Sequence, residues 1–394
     1  MKQVSLFATI TLGALTAFGP FITDFYLPAM PELVHYFQTS PAAVSSSLTA
    51  SMTGLAIGQI LIGPLSDKYG RRPLLIISML LFAIASVACL FAPNIEIFNL
   101  LRVFQGIAGA GGVVLSKSIA TDMFSGKELA RFLAILGAIN GVAPIVAPIV
   151  GGSMTSFTSW KGIFCALLAI GLILLYCSMQ LSETHPKERR MQGNLLHSYA
   201  KLFSVLCNRR FTLSTIAMTS CFFTFFAYIA ASPFIFQQIY GMSAFEYSVC
   251  FGLNAFFIAM GAMLATRFHH HNTALKWGAI DLVISAALVA ICQLLEAPLA
   301  ILMPCYIFML MCFGLMQPVS TAIAMDSERK NAGAASAIFG AASFVGGAIV
   351  SPLVTMGNLM ITSSMVMFGG AIVCLAFTLP LCSIVKKEQM NQQL

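Results

Sequence analysis

The chain has 394 residues, 58% of them hydrophobic and only 9% charged, with a net charge of +7. A soluble domain carries about 25% charged residues, so this composition cannot cover a water-facing surface and excludes a soluble enzyme. The surplus of base is positional, as set out below, and implies no nucleic-acid partner.

A helix needs about 20 apolar residues to cross the hydrocarbon core of a bilayer. Runs of that kind lie at 5–27, 44–65, 73–93, 97–120, 130–152 and 161–181, then at 211–235, 246–267, 275–295, 298–322, 333–356 and 363–385. Twelve spans make this an all-α integral membrane protein. Residues 1–30 do not read as a cleaved signal peptide, because the run is long and leads straight into further spans. The longest polar stretch, Ser182–Arg210, divides the spans six and six. The expected organisation is a six-helix bundle over 1–182, a cytoplasmic linker over 183–210 and a second six-helix bundle over 211–394.

The first span carries Asp24, its only charged group before Glu32. A charge at that depth costs about 2.5–3.5 kcal/mol on insertion scales. An acid kept there reads as a proton carrier or a cation holder. The competing reading places it nearer the outer interface, since Pro28 and Pro31 follow soon after. After the second span comes Gly63-Pro64-Leu65-Ser66-Asp67-Lys68-Tyr69-Gly70-Arg71-Arg72-Pro73. Glycine turns with acid and base at a short connection suit a latch, in which Asp67 pairs with Arg71 or caps a helix N-terminus. The fourth span holds a lone base, Arg102, in Arg102-Val103-Phe104-Gln105-Gly106, and ends near Asp122. Two roles are open to Arg102: a post bonding helix carbonyls, or a group that steadies Asp24 or tunes it from a distance.

The fifth span carries Ala143-Pro144 and Ala147-Pro148-Ile149-Val150-Gly151-Gly152. Its Ala134–Ala138 stretch resembles Ala337–Ala341 in the eleventh span, and each is followed by a proline, Pro148 and Pro352. That is a trace of parallel repeats. Gln105, Asn140 and Asn254 are polar groups inside spans that either line a cavity or bond a neighbouring helix. Phe21, Phe25, Tyr26, Phe225, Tyr228 and Phe256 outline an apolar, aromatic-edged pocket for a small-molecule substrate. Gly54, Gly58, Gly106, Gly109, Gly137, Gly141 and Gly340 would allow close helix contact. The tract His269-His270-His271 reads as a solvated stretch, so no metal is expected. The 11 cysteines show no CxxC spacing and read as small hydrophobes, not as disulfides or metal ligands.

The Gly63–Pro73 loop resembles the signature loop of the major facilitator superfamily. Arg102–Gly106 resembles that superfamily's arginine motif, Asp122 matches the acid that completes its latch, and the fifth span resembles its antiporter motif through Pro144, Pro148, Gly151 and Gly152. Ala143 and Ala147 stand where that motif has glycine. Thr23-Asp24-Phe25-Tyr26-Leu27-Pro28-Ala29-Met30-Pro31, Ala231–Ser243 and Asn331–Ala337 are similar to stretches of the Bcr/CflA family of bacterial drug-resistance exporters, which tends to carry arginine where this chain has Lys117 and Thr121. The resemblance covers essentially the whole chain. It implies a monomer in which two bundles rock about a central cavity, exchanging drug for protons.

Lys and Arg placement orients the chain. Of the 21 Lys and Arg, only Arg102 and Lys161 lie away from one side of the membrane, while the opposite connections hold Glu32, Glu96, Glu246 and Glu296. Both termini are expected in the cytoplasm, across a bacterial cytoplasmic membrane. No P-loop is present, so the proton gradient is the expected energy source and no cofactor is expected. The expected function is proton-coupled export of small drug-like compounds. The alternative is export of a native metabolite such as a sugar, amino acid or siderophore, on the same fold. Asp24 and Arg102 would couple protons, with Gly63, Asp67, Gly70, Arg71, Arg72 and Asp122 forming the latch.

Overall fold

The computed structural model describes residues 6–268 and 271–393, so His269 and His270 of the histidine tract lie outside the described residues. The helices are α1 (Leu6–Asp24), α2 (Met30–Tyr36), α3 (Pro41–Tyr69), α4 (Arg71–Leu90), α5 (Ile95–Met123), α6 (Gly126–Met154) and α7 (Trp160–Gln180). They continue as α8 (Leu195–Phe203), α9 (Arg209–Phe234), α10 (Ala244–Ala265), α11 (His271–Leu294), α12 (Leu299–Ser327), α13 (Ala332–Val354) and α14 (Leu359–Gln393). Among the described residues, twelve stretches are long and apolar enough to cross a membrane, the first combining α1, a short 3-10 turn and α2.

Several helices outrun their apolar runs because polar residues cap or extend them. Ser40 accepts a bond from Ala43 N at the head of α3, and Asn94 accepts one from Ile97 N at the head of α5. Ser243 and Glu246 form a reciprocal capping box before α10. Along α4, Leu75, Met79 and Phe82 are buried, while Ile77, Leu81 and Ile84 on the other side are exposed. A helix apolar all round is at home only where its outer face meets lipid.

The chain forms two compact units, Met1–Tyr199 with Ser243–Gly252, and Ala200–Met242 with Leu253–Leu394. In the first, α5 packs on α1, α3 and α4, α4 packs on α7, and α1 on α6. In the second, α12 packs on α9 and α11, α11 on α14, and α9 on α13. Numbered by span within each half, four pairings recur in both (first on fourth, first on fifth, third on fourth and third on sixth), which makes the repeat hinted at by Ala134–Ala138 and Ala337–Ala341 an architectural one. Each unit also has a glycine crossing between its second and fourth spans. A Cβ on Gly54 would lie 2.1 Å from Val103 O, and one on Gly106 would lie 2.2 Å from Ser51 O. In the second unit Gly261 meets Met311 O and Gly314 meets Ile258 O in the same way. Gly58 joins the first crossing and Gly109 packs on Ile22, but Gly137 and Gly141 face open space, so their expected close contacts are absent.

Gly106→Ala should therefore destabilise the protein by about 1–3 kcal/mol, the usual cost of overpacking, since the obstructing atoms are backbone and cannot step aside. The check is the thermal unfolding midpoint in detergent, with Gly137→Ala, which meets nothing, as the variant expected to be neutral.

Candidate functional site

The first unit is organised around the place where its first helix stops. Asp24 is the last residue of α1, and a turn at Phe25–Tyr26 and the 3-10 segment Leu27–Ala29 follow before α2 begins. Pro28 accounts for the break, since it cannot donate to the ladder of α1, and Pro31 for the restart, since it sits in the first turn of α2, where no donor is needed. The last four carbonyls of a helix have no partner within it. One of these, Ile22 O, accepts a hydrogen bond from Arg102 Nη2 at 2.7 Å.

Arg102 comes from the middle of α5 and is completely buried. Beyond Ile22 O it donates to Ser51 Oγ of α3 at 3.2 Å and to Gln105 Oε1. Its guanidinium lies 4.4 Å from the ring centre of Tyr26 and 5.6 Å from that of Phe164, a cation–π arrangement suited to a desolvated cation. Gln105 in turn donates to Ser86 Oγ of α4 at 2.8 Å. One arginine thus ties together α1, α3, α4, α5 and α7. Of the two roles open to it, bonding a helix carbonyl is the one visible in the geometry. Tyr26 is fixed a second time by its hydroxyl, 3.0 Å from Ser47 Oγ.

The other side of the break is held by α6. A Cβ on Gly151 would lie 1.9 Å from Phe25 O, so the backbone of the antiporter-like motif touches the residue after Asp24. Pro144 and Pro148 lie inside α6, and Gly152 is buried beside Gly151. Asp24 itself is only 5% exposed. Among the described residues no Lys, Arg or His forms an ion pair with it. Its chain neighbours are pinned by Arg102 and Gly151 while its carboxyl is left without a cation.

The aromatic pocket resolves into separate contacts. Phe21, half-buried, lies 5.6 Å from Phe25, and Phe25 and Tyr26 are buried. In the second unit Asn254 donates to Tyr228 OH at 2.7 Å, both residues being buried, and Phe225 stacks on Phe313 at 4.4 Å. Asn254 and Gln105 bond neighbouring helices. Asn140 is exposed on α6 and Phe256 on α10.

The latch is assembled around Arg71. Its side chain reaches Asp67 at 2.6 Å, Asp122 at 3.1 Å and Ser66 Oγ. Gly70 has φ +104°, the region that favours glycine. Gly63 meets no neighbour. Arg72 stands outside the cluster and donates to Met179 O in the last turn of α7 at 2.8 Å. Sequence reasoning missed the linker's part. Glu183 accepts from the backbone N–H of Arg71 at 3.1 Å and pairs with Arg190 at 3.4 Å. Thr184 donates to Asp122 at 3.1 Å, Met191 N to Asp67 O at 2.9 Å, and Lys68 to Gly193 O at 3.3 Å. Residues 183–193 are a strap folded over the latch, and Glu183 satisfies the first N–H of α4, where the helix dipole favours an anion.

Glu183→Gln should loosen this strap by about 1–2 kcal/mol, the combined worth of a charge-assisted bond and a dipole contact. Limited trypsin digestion reads it out directly, because Lys187, Arg189 and Arg190 lie in the strap: cleavage there should run several-fold faster. Equal rates would mean the strap is held by its backbone bonds alone.

A family model described as the Major Facilitator Superfamily matches residues 10–351. The chain is 36% identical over 349 residues to the uncharacterized MFS-type transporter YdgK of Bacillus subtilis, covering 87% of each. It is 29% identical over 388 residues to the bicyclomycin resistance protein homolog of Haemophilus influenzae, covering 95% of this chain and 96% of that one. The latter meets the resemblance to Bcr/CflA-type transporters read from the motifs. The xylose transporter XylE of Escherichia coli shares the fold with a TM-score of 0.73 at 16% identity, covering 96% of this chain and 98% of that one. With twelve membrane helices in two repeated units and this match over most of its length, the chain belongs to the Major Facilitator Superfamily and is a multi-pass bacterial membrane transporter, not an enzyme.

Proposed function

We propose that this transporter exports small, largely apolar or amphipathic compounds across the bacterial cytoplasmic membrane in exchange for protons. It works as a monomer, with both termini cytoplasmic and two six-helix bundles, 1–182 and 211–394, joined by the linker 183–210. The observation that carries the reading is Asp24: a buried carboxyl with no cationic partner among the described residues, on a backbone gripped from both sides. A charge so placed needs compensation. Where no side chain supplies it, a proton or a cationic cargo must, and the two would then compete for one site. Arg102 steadies that site, and the Asp67–Arg71–Asp122 cluster, strapped by the linker, governs the movement that exposes it to either side. The half-buried rings of Phe21 on α1 and Phe225 on α9 are the aromatic surfaces proposed to meet the cargo, whereas Tyr26, Gln105, Tyr228 and Asn254 are bound within their own units and support that surface from behind. Asn140, exposed on α6, adds a polar contact. Similarity to a bicyclomycin resistance protein homolog supports drug-like cargo, and the one-sided Lys and Arg distribution supports the orientation.

The test is a susceptibility panel across antibiotic classes in cells with and without the protein, each with and without a protonophore. Protection against apolar compounds that disappears with the protonophore is the expected result. Protection against none, together with a changed extracellular metabolite profile, would favour a native metabolite as cargo.

A further inference from the structure

We propose that Cys292 and Cys305 form a reversible disulfide on the extracytoplasmic side of the second unit, on the orientation proposed above. Cys292 lies two residues before the end of α11, and Cys305 lies in the second turn of α12. Their sulfurs are 3.7 Å apart, in van der Waals contact, and both residues are half-buried. A disulfide needs about 2.05 Å, so closure requires a shift shared between two side chains on adjoining helices. The connection between them, Leu295–Pro298, carries Glu296 and no base. An open cleft of about 410 Å³ lies at this end of the unit, lined by Ile239, Tyr240, Glu296, Asn358, Leu359 and Met360. Tyr240 ties the cleft to the turn, donating to Ala297 O at 2.6 Å, and its phenol is pushed up by burial and by Cys292 and Glu296 nearby.

A second thiol pair shows why this one is singled out. Cys221 and Cys374 also touch, but both are fully buried in the middle of their helices, beyond reach of a water-borne oxidant. Reactivity of a thiol follows access as well as its thiolate fraction. Disulfides persist where the compartment is oxidising, as outside the cytoplasmic membrane.

The chemistry is thiol–disulfide exchange with a disulfide oxidant. Cys305 directs its S–H toward Ile301 O, which leaves Cys292 to attack first. The Cys292 thiolate displaces one thiolate from the oxidant and forms a mixed disulfide. Cys305 then gives up its proton and attacks the Cys292 sulfur, releasing the second thiol. Two protein thiols are oxidised, one oxidant disulfide is reduced to two thiols, and α11 is stapled to α12.

Purified full-length protein, reduced and freed of reductant, is treated with oxidised glutathione, alkylated with iodoacetamide and digested with trypsin. The peptide Trp277–Arg329 contains Cys292, Cys305 and Cys312 and no internal Lys or Arg. After oxidation it should carry one alkyl group in place of three and be lighter by the two hydrogens lost, with Cys221 and Cys374 alkylated as before. Cys292→Ser and Cys305→Ser should each give a peptide with two alkyl groups and no hydrogen loss. Three alkyl groups after oxidation, or loss of alkylation in either serine variant, overturns the pairing. In intact cells the same oxidant, which does not cross the membrane, should produce the same product. A product seen only after permeabilisation overturns the placement outside.

Discussion

An Asp24→Asn carrier is expected to insert, fold and exchange cargo across the bilayer at zero gradient, yet to lose all uphill export driven by pH. The amide keeps the shape of the carboxyl and cannot release a proton. One proton exchanged per cargo across one pH unit supplies about 1.4 kcal/mol, a tenfold cargo gradient. With two units imposed, the wild type should sustain a gradient of about 100-fold, and the variant should settle near equality. Reconstituted vesicles give both readings: counterflow without a pH gradient reports folding and binding, and net accumulation with one reports coupling. Wild-type accumulation by the variant would remove Asp24 from the energy pathway. Loss of counterflow as well would mean that the carboxyl holds the turn and does not couple protons. No hydrogen bond from another helix to that carboxyl is present among the described residues.

Asp24 and Arg102 were legible in the sequence because a charge stands out in an apolar run, and the spans were legible for the same reason in reverse. The manner of their association was not. Arg102 meets a backbone carbonyl, Ile22 O, two hydroxyls' worth of helix neighbours through Ser51 and Gln105–Ser86, and an aromatic face. Carbonyls belong to every residue, and serines occur in most of the spans, so neither marks itself as a partner. The latch acids and Arg71 were visible from their motif, but Glu183, Thr184 and Arg190 lay in a polar linker whose composition resembles that of a solvated loop. The glycines show the limit of residue type most plainly. Gly54 and Gly137 look alike in a string, yet only the first faces another backbone at a crossing, and Gly261 and Gly314 passed unnoticed. Three-dimensional pairing decides which glycine is needed, and a single string does not carry it.

Arg102→Lys should separate position from charge. Lysine keeps the positive charge but offers a compact ammonium in place of a planar fork. It cannot reach Ile22 O, Gln105 and Ser51 while lying flat on Tyr26, so at least one charge-assisted bond is lost, worth about 1.5–3 kcal/mol, together with most of a buried cation–π contact, about 2 kcal/mol. The acceptor most exposed to this loss is Ile22 O at the end of α1, because the carbonyls there have no helical substitute. Freeing it lets the segment 22–26 shift, and Asp24 sits at its centre. Uphill export should fall at least tenfold while the pH at half-maximal export moves. If Arg102 were only a packing post, the variant would lose folded protein and rate together, and the pH profile per folded molecule would keep its wild-type midpoint. If Arg102 acted on Asp24 only by long-range charge, Arg102→Lys would be nearly silent and Arg102→Met alone would move the midpoint. The observed grip on Ile22 O and Tyr26 calls for the first pattern, in which lysine and methionine both shift it.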